Sequence, residues 1–461
     1  MVTVQAAVAA NRFGLGARPG ELAEISQDHE GWLLAQLGSD AAEVQDEQPS
    51  SAGIAREFQR LQRVRNEARR SDSEELGEAA QQAYRSFIRS QYETQVTRRY
   101  ELAAVTDAPF RERLVHFWTN HFAVSADKQA VTPLVGLFED EAIRPHVTGR
   151  FVDMLMAVEQ HPTMILYLDN QASMGPNSRA ARAADRRGRD LGLNENLARE
   201  ILELHTLGVD GGYSQDDVTT FAKVLTGWSV GGGQGRDTDS TTGEFFFRSN
   251  SHEPGAKTIL DSHYREDGVA EGEAVLADLA MHPATAHFLA EKLARHFVAD
   301  EPPNELVEDL AQAYLSHNGE LNAVYEVLVS ARAAWVEPLA KYKTPQDFLI
   351  STYRAFNRRP DNPERMLAFL DLLGQRPYTP GSPAGWPDTM AHWDGGDALL
   401  KRIEWAATAG RQISDRARPV ELGEAILGPV FDDHTRSAVS RAESAAQGLT
   451  LLLASPEFQR R

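Results

Sequence analysis

Residues 74–105 read EELGEAAQQAYRSFIRSQYETQVTRRYELAAV, and this run predicts one long helix with a charged face turned to solvent. Residues 52–70, just before it, place Ile54, Phe58 and Leu61 at steps of three and four. The Arg and Glu residues between them are explained by pairing along an exposed helix surface. Because helical periodicity dominates the chain, the sequence predicts a mainly α, multi-helix globular fold.

Several helix starts are marked by capping chemistry. An Asp-Ala-Pro sequence predicts a helix that starts at Pro109 and runs to about His121. Ser214, with Asp217 three residues later, is typical of a capping box. Prolines in the first turn predict two further helix starts, at Pro283 and Pro345.

Two segments depart from this periodicity. Residues 171–193 form a loop rich in Ser, Gly, Arg and Asp. Residues 231–268 begin with three glycines and contain two short apolar runs, 244–248 and 257–260. These runs predict two short strands around a turn, and therefore a small β-hairpin insertion.

A chain of 461 residues exceeds the size that a single hydrophobic core usually supports. We expect an N-terminal helical lobe at residues 1–230, the β-hairpin insertion at 231–268 and a C-terminal helical lobe at 269–461. One continuous domain with insertions is the alternative. The sequence contains no tandem repeat of fixed period.

The charge balance limits the kinds of partner. There are 47 basic and 67 acidic residues, giving a formal net charge of −20. Such a surface repels nucleic-acid phosphates and anionic lipid headgroups, so we expect no nucleic acid and no membrane as a partner. No stretch approaches the roughly 20 apolar residues that span a bilayer, and no signal peptide is evident. We therefore expect a cytoplasmic protein, unless an export leader was removed.

The sequence contains no cysteine. This excludes disulfides, thiolate nucleophiles, iron–sulfur clusters and cysteine-type zinc sites. Any divalent metal ion would have to use the 14 histidines and the carboxylates.

Several motifs resemble those of one bacterial family. The longest are FWTNHF at residues 117–122, NENLARE at 194–200 and LELHTLG at 202–208. Shorter matches are Asn11-Arg12-Phe13-Gly14, His161-Pro162, Asp169-Asn170, Leu225-Thr226-Gly227-Trp228, His252 with Lys257, and Gly385-Trp386-Pro387. Together they resemble, over nearly the whole chain, a family known only as a domain of unknown function, numbered eighteen hundred.

This resemblance implies little about activity, because the family has no established activity to carry over. Its members are often encoded beside a sulfatase-like family, so the resemblance implies a sulfatase-like protein as a partner. Many members also carry export leaders, which this sequence lacks.

The strongest candidate for chemistry is the predicted helix from Glu195 to Leu207. At about 100° per residue, Asn196, Glu200 and Glu203 fall on one narrow stripe, and His205, on the same helix, projects away from it. Two carboxylates on one face can share a metal ion or divide into an acid and a base. We expect Glu200 and Glu203 to be catalytic and to ligate a divalent metal ion. The alternative is pairing with arginines.

The second candidate is the helix that contains Arg113, His116, Asn120 and His121. His116 and His121 are five residues apart, about 140° around a helix, so they cannot chelate one metal ion together. His121 could satisfy carbonyls at the helix end, or it could face the two glutamates as a ligand or base. We expect His121 to be catalytic and to ligate the metal. The residues expected to bind a ligand or cofactor beside it are Arg113, Asn120 and Asn196.

Other candidates have common structural explanations. His161-Pro162 could simply begin a helix, and Asp169-Asn170 could end one. His252 and Lys257 lie in the expected hairpin region, where loops on a rigid scaffold often carry function. We expect His252 to be catalytic and Lys257 to bind a ligand. The alternative is turn chemistry with a solvated lysine.

A locally basic loop precedes the Glu200 helix. It could hold a small anionic ligand near that helix, although such a run is more often solvated. Its arginines are Arg179, Arg182, Arg186, Arg187 and Arg189.

The sequence Gly227-Trp228-Ser229-Val230-Gly231 fits the pattern of a nucleophile elbow. An elbow needs a strand before the serine and a helix after it, whereas here a predicted helix precedes and a glycine-rich loop follows. A helix-ending turn is therefore favoured. The sequence contains no phosphate loop, no dinucleotide-binding fingerprint after a strand and no His-Glu-x-x-His.

Two functions fit these observations. The favoured one is an enzyme with a His/Glu polar centre between two helices, with or without a divalent metal ion. The alternative is a non-catalytic helical scaffold, or a partner of a sulfatase-like protein, with these polar residues in a buried network. A hollow shared by His121, Glu200 and His252 would favour the enzyme.

Overall fold

A computed structural model of the chain describes residues 1–38, 49–71, 73–186, 192–232, 242–336, 339–360, 362–413 and 418–461. Helices dominate these residues, and the strands found among them form two small antiparallel sheets, which confirms the mainly α prediction. None of the helices in these ranges is both long enough and apolar enough to cross a membrane.

The α-helices alternate with short turns of other helical types. The α-helices span Val4–Val8, Glu21–Ile25, His29–Ala35, Ser51–Ala68, Glu74–Val105, Pro109–His121, Val135–Phe138, Phe151–Glu159, Pro162–Tyr167, Arg179–Asp185, Asn196–Glu200, Gln215–Val224, Val269–Ala280, Pro283–Phe297, Asn304–Ser316, Leu321–Ser330, Pro345–Ala355, Pro363–Leu372, Met390–Trp393, Gly396–Ile413, Pro419–Leu427, Asp433–Ser440, Ala445–Ala454 and Pro456–Gln459. The π turns span Ala9–Phe13, Glu139–Ile143 and Ile201–His205. The 3-10 turns span Thr132–Leu134, Arg144–His146, Asn170–Ala172, Arg332–Ala334 and Gly428–Val430.

Capping chemistry located the helix starts correctly. The long helix spans Glu74–Val105, and the next one spans Pro109–His121, with the predicted bounds in both cases. Ser214 and Asp217 form the predicted capping box. First-turn prolines also start the helices Pro283–Phe297 and Pro345–Ala355.

The helix Pro109–His121, called the central helix below, lies in the interior. All of its residues except Asn120 are buried. Trp118 donates from Nε1 to the Tyr325 hydroxyl (2.7 Å), which donates in turn to the Val147 carbonyl (3.0 Å). Its apolar side chains join one contiguous cluster of buried residues drawn from nearly the whole chain. This helix is therefore the element around which the other helices pack.

Charged side chains of the central helix are paired inside the protein. Arg144 donates to both carboxylate oxygens of Glu112, at 2.5 and 3.1 Å, and lies 3.3 Å from Glu139. Arg99, on the long helix, pairs with Glu139 as well. Burial acts to raise the pKa of Glu112, but Arg144 and His116 together outweigh burial and hold this pKa well below its usual range. The four side chains thus form one buried network of alternating charge.

The two predicted strands exist, but the expected pairing between them was wrong. Phe245–Phe247 pairs antiparallel with Trp228–Val230, and Lys257–Ile259 pairs with Ser262–Tyr264 in a small hairpin. Alternating or apolar runs indicate strands, but they do not identify the partners. Residues 233–241 of the predicted insertion lie outside the described residues, and the lobe boundaries stay predictions.

The predicted helix at residues 195–207 is not one continuous α-helix. Asn196–Glu200 is α-helical, and Ile201–His205 is a π turn. Because a π turn contains more residues than an α turn, the assumption of 100° per residue was wrong beyond Glu200. His205 lies in the core, with 1% of its surface exposed.

Replacing Arg144 with methionine should strongly destabilise the protein. The change leaves the carboxylates of Glu112 and Glu139 buried without this guanidinium, and breaking a buried ion pair costs about 3–5 kcal/mol. The urea midpoint of the Arg144→Met variant should fall accordingly. Arg60→Met is the matched control, because Arg60 pairs with Glu57 on the exposed surface, where such pairs contribute little. Equal midpoints for the two variants would contradict a structural role of the buried network.

Candidate functional site

A pocket lies against the central helix, at the face that carries Arg113, Phe117 and Asn120. Its free volume is about 70 Å³, enough for a few water molecules or a small ligand. Its other walls come largely from residues far along the chain: His296, Thr344, Gln346, Asp347, Gln375, Pro377, Tyr378, Pro380, Trp386, Pro387 and Asp388. We call this space the His296 pocket.

Asn120 fixes one wall of the His296 pocket. Its Nδ2 donates to the Trp386 carbonyl (2.9 Å), and its Oδ1 accepts from the Trp386 main-chain N–H (2.7 Å). Gly385 has a φ of +81°, and a Cβ at this position would lie 2.3 Å from the Asn120 main-chain oxygen. Both the left-handed backbone and the close approach require glycine. Two of the family-like segments, 117–122 and 385–387, therefore meet at this pocket.

His296 lies in the last turn of the helix Pro283–Phe297 and lines the pocket. Its Nδ1 donates to Oδ2 of Asp388 at 2.5 Å, and its ring centroid lies 5.2 Å from that of Phe117. Its Nε2 is buried and has no hydrogen-bond partner among the described residues. Burial lowers the pKa of His296 to about 4, against the opposing effect of Asp388. At neutral pH the ring is uncharged, with an unprotonated Nε2.

Asp388 is itself held by cations. Arg461 Nη2 lies 3.7 Å from its Oδ1, and Lys341 donates to its main-chain carbonyl at 2.6 Å. Burial acts to raise the pKa of Asp388, but His296, Lys341 and Arg461 hold it well below its usual range. Asp388 is therefore ionised, and it fixes the orientation and the tautomer of the His296 ring.

A second buried carboxylate, Asp347, completes the charged wall. Its Oδ1 accepts from Arg113 Nη1 at 3.0 Å, and its Oδ2 lies 3.2 Å from Arg461 Nε. Arg113 also donates from Nε to the Gly14 carbonyl at 2.5 Å. Arg461 thus bridges Asp347 and Asp388, and Arg113 is fixed rather than mobile.

His121, predicted to be catalytic and to ligate a metal ion, has no hydrogen bond or ion pair to either predicted glutamate partner among the described residues. Its Nε2 donates to the His205 carbonyl (3.1 Å), and its Nδ1 accepts from Lys292 Nζ (3.0 Å). Burial lowers the pKa of His121 well below its usual value, and Lys292 acts in the same direction. Both ring nitrogens are therefore engaged by other groups, and neither is left for a metal ion or for Glu200 and Glu203.

Asn196, Glu200 and Glu203 lie nearer to the surface. Asn196 is exposed, and the two glutamates are half-buried. Glu203 lies 3.7 Å from Arg199 Nη1, which is the arginine pairing that the sequence left open as an alternative. Burial raises the pKa of Glu200. In the part of the chain that the structure describes, no group of three or more His, Asp or Glu side chains is arranged to hold a metal ion.

His252 and Lys257 belong to a separate buried cluster around Glu271. His252 donates from Nδ1 to the Thr226 carbonyl (2.8 Å), and its Nε2 lies 3.2 Å from Glu271 Oε2. Lys257 Nζ lies 3.0 Å from the same oxygen. The cluster ties this loop to the helix Val269–Ala280, and none of its members lines the His296 pocket.

The remaining candidates hold neighbouring segments together. His161 caps the helix Pro162–Tyr167 through Nδ1 and donates from Nε2 to Glu141 at 3.1 Å. Asn170 donates to two main-chain carbonyls of the segment 225–228, at 3.0 Å each. His161 therefore begins a helix, which is the common explanation that the sequence analysis gave. Asn170 instead begins a 3-10 turn and holds the segment 225–228, rather than ending a helix.

Two weaker motifs are also located. Ser229 is buried inside the strand Trp228–Val230, rather than in the helix-ending turn that the sequence favoured. The helix Arg179–Asp185 occupies much of the basic loop and contains two of its arginines. Two more of these arginines lie outside the described residues: Arg187 and Arg189.

Sequence reasoning found Arg113 and Asn120 but missed the residues across the pocket from them. His296 sits in the last turn of a helix, where a histidine has an ordinary structural explanation. Asp388 directly follows the Gly385-Trp386-Pro387 motif, and this position was the one available signal. Asp347 is part of an ordinary helix start after Pro345, so nothing local marked it.

The fold and the site define a mainly α-helical protein with a small polar pocket against its central helix. The family described as "Protein of unknown function (DUF1800)" has a model that matches residues 8–460, and the chain belongs to this family. The resemblance stated from the sequence motifs is thereby confirmed. No curated protein and no solved structure matches the chain.

Replacing Gly385 with alanine should destabilise the protein and deform the pocket. The left-handed backbone costs a non-glycine residue about 1–2 kcal/mol, and the contact with Asn120 adds to this cost. The urea midpoint of Gly385→Ala should therefore fall further than that of Gly374→Ala. Gly374 has a similar φ of +79°, but a Cβ added there would meet no atom within 4 Å, so it isolates the backbone cost. Equal shifts would show that the Asn120 contact is unimportant.

Proposed function

We propose that the protein is an enzyme that uses His296 as a general base on a small polar substrate in the His296 pocket. One observation carries the proposal. The imidazole is bound through Nδ1 to an ionised carboxylate, while no described residue bonds to its buried Nε2. This is the arrangement that a general base requires, with one nitrogen oriented and the other available for a proton.

The chemistry of this pair is proton transfer. Nε2 would accept a proton from the substrate or from an attacking water molecule, and Asp388 would stabilise the imidazolium that forms. The low pKa of His296 keeps the resting ring unprotonated at neutral pH. The proton would leave from Nε2 to the product or to solvent, which returns the ring to its neutral state.

Pocket size and charge limit the substrate. A free volume of about 70 Å³ admits only a small group. Arg113 lines the space and would attract an anionic group of the substrate, although its Nη1 already pairs with Asp347. The small anionic ligand expected from the sequence belongs to another place, the basic loop before the Glu200 helix, and stays a prediction. Asn120 shapes the wall through Trp386 and does not need to contact the substrate.

A scaffold without catalysis is the second candidate, and one observation favours it. His121, His252 and Lys257 all have polar partners inside the protein, as members of a structural network would. The sulfatase-like partner implied by the family resemblance belongs to this alternative. The two candidates make different predictions for a His296 variant that remains folded. The enzyme would lose its catalytic activity, whereas the scaffold would have no activity to lose.

Activity in a panel of small chromogenic esters and phosphate monoesters should depend on His296. Replacing a general base lowers the rate by about 10²- to 10⁴-fold, so His296→Asn should abolish measurable turnover. His287→Asn is the matched control, because His287 lies on the same helix and half of its side chain is exposed. Turnover that persists in His296→Asn, in a protein with an unchanged urea midpoint, would refute the proposed base.

The His296 ring should titrate far below an ordinary histidine. Carbon-13 NMR of ring-labelled protein should give a midpoint near pH 4 rather than 6.5. Asp388→Asn should lower this midpoint further, because the carboxylate favours the protonated ring. Between these two pH values the unfolded chain binds a proton that the folded protein does not, so this group makes the fold less stable as pH falls through that window. A midpoint near 6.5 would contradict burial of this ring beside the pocket.

A further inference from the structure

A second cleft lies in the C-terminal part of the chain. It is bordered by the helices Pro345–Ala355, Pro363–Leu372 and Gly396–Ile413. Its free volume is about 360 Å³, which is within the range of small-molecule sites. No residue that lines it lines the His296 pocket. We call it the C-terminal cleft.

The floor of the C-terminal cleft is apolar. The rings of Phe369 and Trp405 lie against each other with centroids 4.6 Å apart. Met366 and Phe356 extend this surface, and Leu372, at its edge, is 50% exposed. Because apolar surface is stabilised by removal from water, this floor favours a ligand with an apolar body.

The rim of the cleft is basic. Its described charged residues are four cations and one carboxylate, namely Arg358, Arg359, Arg365, Lys401 and Glu404. Within the described residues, none of the three arginines has an ion-pair partner, while Lys401 pairs with the exposed Asp397 at 2.6 Å. The protein as a whole carries a net charge of −20, so this local excess of positive charge contrasts with the rest of the surface.

We propose that the C-terminal cleft binds a single-chain amphiphile with an anionic head, of the chemical class of a fatty acid anion. The alkyl chain lies on the Phe369 and Trp405 rings, and the carboxylate pairs with the guanidinium of Arg365 and its neighbours. The head group is expected to be negatively charged because the rim of the cleft is basic. The bounded volume favours one small molecule over a helix or a membrane surface. This inference is independent of the proposed activity at His296.

Calorimetric titration of the full chain with dodecanoate, kept below its micelle concentration, tests the proposal. We expect one site per chain, with affinity that falls as salt is added. Burial of one methylene favours binding by about fourfold, so octanoate should bind at least tenfold more weakly. Acetate, which lacks the chain, and dodecyltrimethylammonium, which carries the opposite charge, should show no binding at this site.

Two variants locate the site. Arg365→Gln removes one exposed cation of the rim and should weaken dodecanoate binding by at least fivefold. Ala368→Trp places a bulky ring in the cleft from an exposed position and should abolish binding. Arg411→Gln is the control, because Arg411 is exposed on the same helix as Lys401 but does not line the cleft. Unchanged urea midpoints establish that all three variants are folded.

The proposal is overturned if dodecanoate does not bind, or if dodecyltrimethylammonium binds as tightly. It is also overturned if neither Arg365→Gln nor Ala368→Trp weakens binding, since the ligand would then lie elsewhere. Binding of an acidic amphipathic peptide but not of dodecanoate would replace the small molecule with a protein partner. His296→Asn should leave the dodecanoate affinity unchanged, so failure here and failure of the proposed activity are distinguishable.

Discussion

Burial of the central helix on nearly all of its surface is the constraint on which the structure depends. This helix carries five ionisable side chains into the interior, and a buried charge is tolerated only with a partner. Glu112 therefore requires Arg144, and Arg113 requires Asp347. These partners come from other parts of the chain. Pairing the buried charges of one helix therefore fixes how many other segments pack against it.

The three π turns found in the described part of the chain supply partners for this helix. Gly14, whose carbonyl accepts from Arg113, directly follows the first turn. Glu139, which accepts from Thr119 at 2.9 Å, begins the second. The His205 carbonyl, at the end of the third, accepts from His121. Because a π turn interrupts the regular α-helical hydrogen bonds, it frees backbone groups and redirects side chains towards a neighbour.

Local chemistry made the helices predictable from the sequence. Pro109 and the Ser214 capping box act within one turn, so the sequence alone located both starts. Strand pairing and the π turn at Ile201–His205 depend on tertiary contacts, which periodicity does not encode. Arg113 and Asn120 could be identified as candidates because they lie on one face of a single predicted helix. His296 could not, because its role depends on a tertiary contact. Its hydrogen-bond partner Asp388 lies 92 residues away, and only tertiary packing brings the two together.

Perturbed pKa values do not by themselves distinguish His296 from its neighbours, because structural ion-pair networks perturb them as well. The pKa of His121 is also lowered by burial, yet both of its nitrogens are bonded inside the protein. His116 and His252 also keep one ring nitrogen without a hydrogen bond, but a carboxylate oxygen lies 3.4 and 3.2 Å from that nitrogen, respectively. His116 lines the same pocket as His296, so the pocket alone does not separate these two histidines. In His296 the carboxylate is bonded to the other nitrogen, which leaves Nε2 without an acidic neighbour among the ion pairs of the described residues.

A network that served only stability would gain from bonding the Nε2 of His296, since an unsatisfied buried acceptor costs about 1–3 kcal/mol. Among the described residues no partner offsets this cost. The same is true of Oδ1 of the structural Asn170, so the open acceptor distinguishes His296 only together with the pocket beside it and the Asp388 bond at Nδ1. A substrate, or a water molecule that occupies the pocket before the substrate binds, would donate a hydrogen bond to the Nε2 of His296 from the pocket side. The available acceptor, rather than the low pKa, is therefore the observation on which the proposed function rests.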